Sequence, residues 1–191
     1  MRRVRTALRE RLIRLRATRR GVSLSPCQVL DLLPLRNAHG PVTSRPMADG
    51  MQFHIDPKGQ VEGEWTSEAG QRFHFAARVI APVDWVALHI DLPRFEKMSE
   101  MSHLAVILRA ASAAPLRLEL AIRSYTAEGF QDSFLFPELH LTPGGVDHCA
   151  TLALAQAPDF PRQADQRELV IFCPTEGEME IAFDTLKVLS L

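Results

Sequence analysis

Trp85, His89 and Asp91 fall on one phase of an alternating run, while Val86, Leu88, Ile90 and Leu92 occupy the other. If the apolar phase faces a core, the indole, imidazole and carboxylate share a wet face. An indole face can stack on a flat C–H surface, and planar polar side chains beside it can hydrogen-bond hydroxyl groups. Trp85 admits two readings, an exposed stacking platform or a cap on the core edge, since tryptophan is mostly buried. Arg117, Glu119 and Arg123 form a second polar phase, opposite Leu116, Leu118, Leu120 and Ile122, and Arg72, His74 and Arg78 form a third. Were the last two in one sheet, they would make a partly basic recognition surface; ordinary solvated faces with cross-strand ion pairs are the plainer account. Tyr125 and Phe130 lie in the loop-like stretch 124–133, and exposed loop aromatics suit recognition.

Other chemistry finds less support. His54, His74 and His89 sit on polar phases of separate runs, but no HxH or HExxH spacing marks a transition-metal site. Cys27, Cys149 and Cys173 are an odd number in no metal spacing, and they read as buried free thiols in a reducing compartment. No GxSxG, P-loop, GxGxxG or CxxC motif is present. The chain is therefore not expected to be an enzyme, with a polysaccharide hydrolase or lyase built from dispersed carboxylates as the least favoured alternative.

The elements that position these residues are almost all strands. From Met51 onward the hydrophobic period is two, as in Phe73, Phe75, Ala77 and Val79. Leu104–Leu108 and Leu169–Cys173 are continuous apolar runs, the pattern of strands covered on both faces. Turn residues separate the runs, and no 10–15-residue helical pattern intervenes, so an all-β jelly-roll sandwich of eight to ten antiparallel strands is expected over residues 51–191. Residues 26–50 contain Pro34, Gly40, Pro41, Pro46 and Gly50 and read as a hydrophobic strap and linker.

Residues 1–25 differ. The first twenty carry nine arginines and one acid, Glu10, against a net charge of −1 for all 191 residues. The remainder is therefore acidic, which argues against nucleic-acid binding by the body. Val4, Leu8, Leu12 and Leu15 recur at helical spacing, predicting a basic amphipathic helical arm. Such an arm suits docking on a protein partner or self-association through residues 1–20; an anionic membrane surface is possible, though no Trp or Phe anchors it. No apolar run reaches transmembrane length and no signal-peptide pattern is evident, so a cytoplasmic protein is expected.

Three stretches carry a family resemblance: Gly63-Glu64-Trp65 with Phe73-His74-Phe75, then Ser102–Ala110, then Ile181–Val188. Together they resemble the galactose-binding-like β-sandwich of carbohydrate-binding modules. The resemblance implies two jelly-roll sheets and a glycan or polysaccharide ligand on a concave face or loops. It also implies a structural calcium, to which Asp184 with Glu62 or Glu64 would contribute. On this reading Trp85 stacks on a sugar while His89, Tyr125, Arg117 and Arg123 hydrogen-bond it. The alternative reading is an interaction subunit of a larger assembly, a phage-like particle or a glycan-synthesis complex, tethered by the basic arm.

Overall fold

The computed structural model describes residues 23–191; the expected helical arm lies outside these residues but for its last three, of which Ser23–Leu24 form a strand. Fifteen strands follow one another: β1 (Ser23–Leu24), β2 (Gln28–Asp31), β3 (Ala38–Pro41), β4 (Met51–Ile55), β5 (Gln60–Glu68), β6 (Arg72–Ala81), β7 (Val86–Asp91), β8 (Arg94–Phe95), β9 (His103–Ser112), β10 (Leu116–Thr126), β11 (Gly129–Phe134), β12 (Leu139–Leu141), β13 (Val146–Ala153), β14 (Gln166–Phe172) and β15 (Glu178–Ser190). A six-stranded sheet runs β11-β10-β14-β7-β4, with β12 continuing alongside β10, and a seven-stranded sheet runs β13-β9-β15-β6-β5-β3, with β2 beside β15. Every pairing within these sheets is antiparallel; β1 and β8 form a small parallel pair. The all-β sandwich expected from the sequence is thus present, with more strands than the eight to ten foreseen. The surplus comes from elements of two to four residues, too short to show a period.

The core forms where the apolar phases meet. Val86, Leu88 and Ile90 of β7, Leu118, Leu120 and Ile122 of β10 and Leu169 and Ile171 of β14 point inward from one sheet; Phe73 and Phe75 of β6 and Leu104, Val106 and Leu108 of β9 do so from the other. Phe53 and Phe75 join the two layers edge to face, with ring centroids 4.9 Å apart. Burying each such ring stabilises the fold by about 1.5–3 kcal/mol. In β15 the inward phase changes from Met179, Ile181 and Phe183 to Leu186 and Val188, because a register shift between Phe183 and Thr185 leaves Asp184 as an extra residue.

The segment expected as strap and linker belongs to the sandwich. β2 pairs with β15 and β3 with β5, while Leu30, Leu32, Leu33 and Val42 are buried. The prolines that suggested a linker bound short edge strands, where a missing N–H is tolerated. Among the described residues no helix is long and apolar enough to cross a membrane.

Candidate functional site

The outward phase of the six-stranded sheet gathers the polar and aromatic residues. Backbone register aligns them in rows across the strands. Phe134, Ala121, Val170, His89 and Gln52 make one row. Asp132, Arg123, Glu168 and Asp91 make the next, and Phe130, Tyr125 and Gln166 the one beyond. On the other side of the first row lie Glu119, Phe172, Ala87 and His54. Small residues occupy the middle, where Ala87, Ala121 and Val170 are fully covered, and larger side chains rise around them.

Glu168 is the hub. One carboxylate oxygen accepts from His89 Nδ1 at 2.7 Å and from the Tyr125 hydroxyl at 2.9 Å. The other accepts from Gln166 Nε2 at 3.2 Å, and the same amide reaches Asp91 Oδ1 at 3.1 Å. Burial works to raise the Glu168 pKa, but the hydrogen bonds from His89 and Tyr125 outweigh it and hold the group below its ordinary value. Burial, then the bond to Glu168, push the Tyr125 hydroxyl up to about 12. His54 lies flat on His89, and burial followed by the neighbouring imidazole lowers its pKa. Charge is thus concentrated on Glu168, while Tyr125 is a neutral donor and His54 a neutral ring near pH 7.

Arg123 forms the other polar centre. Its Nε and one terminal nitrogen bind both oxygens of Asp132, at 2.7 and 2.6 Å, which raises its pKa further. The guanidinium also lies 4.1 Å from the centroid of the Phe130 ring. Phe134 and Phe172 stack at 5.9 Å over the row that contains Ala121. Trp85 immediately precedes β7 in the phase of His89 and is 40% exposed, so its indole is available to a ligand. Trp65 is buried in the core.

All five residues picked from the sequence fall on this outward phase, but not at one point. His89, Arg123 and Tyr125 occupy adjacent rows. Trp85 precedes His89 by four residues, about 13 Å along the strand, and Arg117 precedes Arg123 by six, about 20 Å. Arg117 is held by Glu119 and Glu138, at 2.9 and 2.7 Å. Arg72, His74 and Arg78 belong to the other sheet, paired across strands with Asp184, Glu180 and Glu178. The combined basic surface therefore does not form.

Nor does the calcium set come together. Asp184 contacts Arg72, whereas Glu62 lies opposite Arg78, six residues further along β6 and about 20 Å away. Among the described residues no group of three or more His, Cys, Asp or Glu is arranged to hold a metal ion. These residues do not fit a structural calcium site. The cysteines also differ from expectation: Cys27 and Cys149 are exposed and only Cys173 is buried.

Sequence reasoning missed Glu168, Gln166, Asp132, Phe134 and Phe172. In β14 the polar phase begins with Gln166 and Glu168 but continues with Val170 and Phe172, so the run reads as wholly apolar. In β11 the outward phase is Phe130, Asp132 and Phe134 against Gln131 and Ser133, which hides the strand as a loop.

No protein-family model matches the sequence, and no curated protein is similar to it. Solved structures are similar in fold. A family 30 carbohydrate-binding module superposes with a TM-score of 0.54 at 10% identity, covering 91% of this chain and 90% of that one. A family 4 module gives 0.50 at 13% identity over 80% and 95%. A family 11 module from Clostridium thermocellum, in complex with a β-1,3-1,4-mixed-linked tetrasaccharide, gives 0.50 at 10% identity over 79% and 95%. The protein therefore has the β-sandwich fold of carbohydrate-binding modules, as the resemblance implied.

Proposed function

We propose that this protein is a non-catalytic carbohydrate-binding module whose ligand lies across the outward face of the six-stranded sheet. The observation that carries the reading is the composition of that face: ring surfaces of Trp85, Phe130 and Phe134 beside the planar polar groups of His89, Gln166, Arg123 and Asp132. Sugars need this pairing, because a pyranose offers apolar C–H patches ringed by hydroxyl groups. The face extends about 26 Å from Arg117 to Tyr125, long enough for several sugar units in a row. The tetrasaccharide in a module of the same fold supports a glycan as the ligand class. Glu168 accepts from three protein donors, which favours a positioning role over acid–base chemistry.

The test is a glycan-array screen of the full chain, followed by titration of any hit with tryptophan fluorescence as readout. Trp65 is buried and Trp85 exposed, so a ligand on this face perturbs Trp85 alone. Trp85→Ala and Phe134→Ala are each expected to weaken binding about tenfold or more, since exposed aromatic anchors dominate recognition energetics. Absence of glycan binding, or binding indifferent to both substitutions, overturns the reading.

A further inference from the structure

At the β4 edge the proposed face drops into a pocket of about 100 Å³. Pro46 and Met47 form its apolar side, and Gln52, His54, His89, Asp91 and Glu168 its polar side. The wall is fixed. Residues 46–52 close on themselves through the Pro46–Gln52 bridge and the Met47 N–H to Met51 carbonyl bond at 2.9 Å, and the Gln52 amide donates to the Ser44 carbonyl at 2.9 Å. Gly50 permits the approach: its φ is +76°, and a Cβ there would lie 2.9 Å from Asp91.

Within this pocket His89 is 3% exposed, yet only one of its ring nitrogens has a partner among the described residues. Nδ1 is the nitrogen that meets Glu168, and Nε2 is left without a hydrogen-bond partner among the described residues. A buried polar nitrogen left without a partner is uncommon and calls for a group that completes it; a hydroxyl can do so as donor or as acceptor. The volume equals about three waters at ~30 Å³ each, too little for a whole pyranose ring but enough for a short branch.

We propose that this pocket receives the exocyclic hydroxymethyl group of a hexose unit, its methylene against Pro46 and Met47 and its hydroxyl toward His89, so that the face selects hexose over pentose chains. The inference rests on the carbohydrate reading above and adds its specificity determinant. Amphipathic lining matches a CH2–OH group, and a pentopyranose lacks it altogether. An unfilled polar pocket then penalises the pentose chain, because its buried groups stay unpaired.

Cellohexaose and xylohexaose are suitable probes, since the two differ only in that substituent. Calorimetric titration of the full chain is expected to show cellohexaose bound at least about tenfold more tightly. In Met47→Trp, which fills the pocket from its loop side, the ratio is expected to fall to about one; Gln52→Phe, filling it from β4, is the second variant should the first not fold. Equal affinities in the natural chain, or a preference that survives in a folded pocket-filled variant, overturn the proposal while leaving the carbohydrate reading intact. Should the pair not bind, hexose and pentose chains on the array take their place, and a pentose preference there overturns it equally. Silence towards all glycans removes the carbohydrate reading itself, and this proposal with it.

Discussion

The imidazole of His54 lies flat on that of His89, ring centroids 3.9 Å apart and planes 14° from parallel. His89 is in turn bonded to Glu168. The stack is compatible with a neutral His54 and opposed by a charged one, because burial, the adjoining His89 and, beyond it, Arg123 all disfavour charge on that ring. Glu168 is the one opposing influence among the groups that face it.

A pH dependence of stability follows. His54 has its folded pKa below the ordinary 6.5, chiefly through burial, so between those values the unfolded chain binds more protons. Stability is therefore lost as pH falls from 6.5 through the folded value. Glu168, also depressed, supplies stability that is present above its ordinary 4.5 and lost as pH falls through its lower folded value. Thermal melts from pH 8 to pH 3 are expected to show two successive declines. His54→Gln is expected to abolish the upper one and leave the lower; persistence of the upper decline would assign it elsewhere.

Tyr125 is the single tyrosine of the chain, so tyrosinate absorbance reads it alone. Its hydroxyl ionises at about 12 because it is buried and bonded to Glu168. At pH 11 the folded protein is expected to show little tyrosinate. Glu168→Gln removes the negative charge but not the burial, so the midpoint is expected to move down while staying above the ordinary 10.0. Circular dichroism at the same pH establishes that the fold persists. An unchanged midpoint would mean that burial alone sets the value. The substitution should also destabilise the protein by about 1–3 kcal/mol, as expected when a buried hydrogen-bonding partner is weakened.

The face could be half read from the amino acids. The outward phases of β7 and β10 contain His89, Arg117, Arg123 and Tyr125, and Trp85 has the same phase just before β7. Alternation reports the side of a strand on which a residue lies, and that put His89, Arg123 and Tyr125 on the outward phase; it did not foresee that His89, expected to be wet, is only 3% exposed. It reports nothing about which strands are neighbours, so it left open whether Arg72, His74 and Arg78 share a sheet with Arg117 and Arg123; they do not, and the plainer account of cross-strand ion pairs holds. It fails where the outward side is itself apolar, as at Val170, Phe172 and Phe134, which is where a recognition face most needs rings. Asp184 was implied as a calcium ligand by the family resemblance alone; in the structure it is the extra residue of a bulge and forms an ion pair with Arg72.

Arg167 points the opposite way from Glu168, into the sandwich end. It is 5% exposed and has no carboxylate partner among the described residues. Its guanidinium donates to the Pro161 carbonyl at 2.6 Å and the Ser124 hydroxyl at 3.2 Å, with the Phe160 and Phe95 rings 5.4 and 5.7 Å away. Burial lowers its pKa to about 10. It ties the 157–165 loop to the sheet beneath the proposed face. Arg167→Ala is expected to cost about 2–4 kcal/mol through the lost charged hydrogen bonds and ring contacts. For a chain of this size that lowers Tm by roughly 5–15 °C. Limited proteolysis should then cut first within 157–165. A melting point within a degree of the natural protein would show the loop to be held by other contacts.

The three thiols separate by environment. Cys149 lies on β13 of the seven-stranded sheet, whereas Cys173 follows β14 in the six-stranded one, so the pair shares no sheet and all three cysteines are free. Burial pushes the Cys173 thiol up to about 12, which removes both access and thiolate at neutral pH. Cys27 and Cys149 are exposed. Reaction of the native protein with a thiol-reactive chromophore at pH 8 is expected to release two equivalents quickly and the third only after denaturation. Three fast equivalents would place Cys173 at the surface and contradict the packing of β14 against β7.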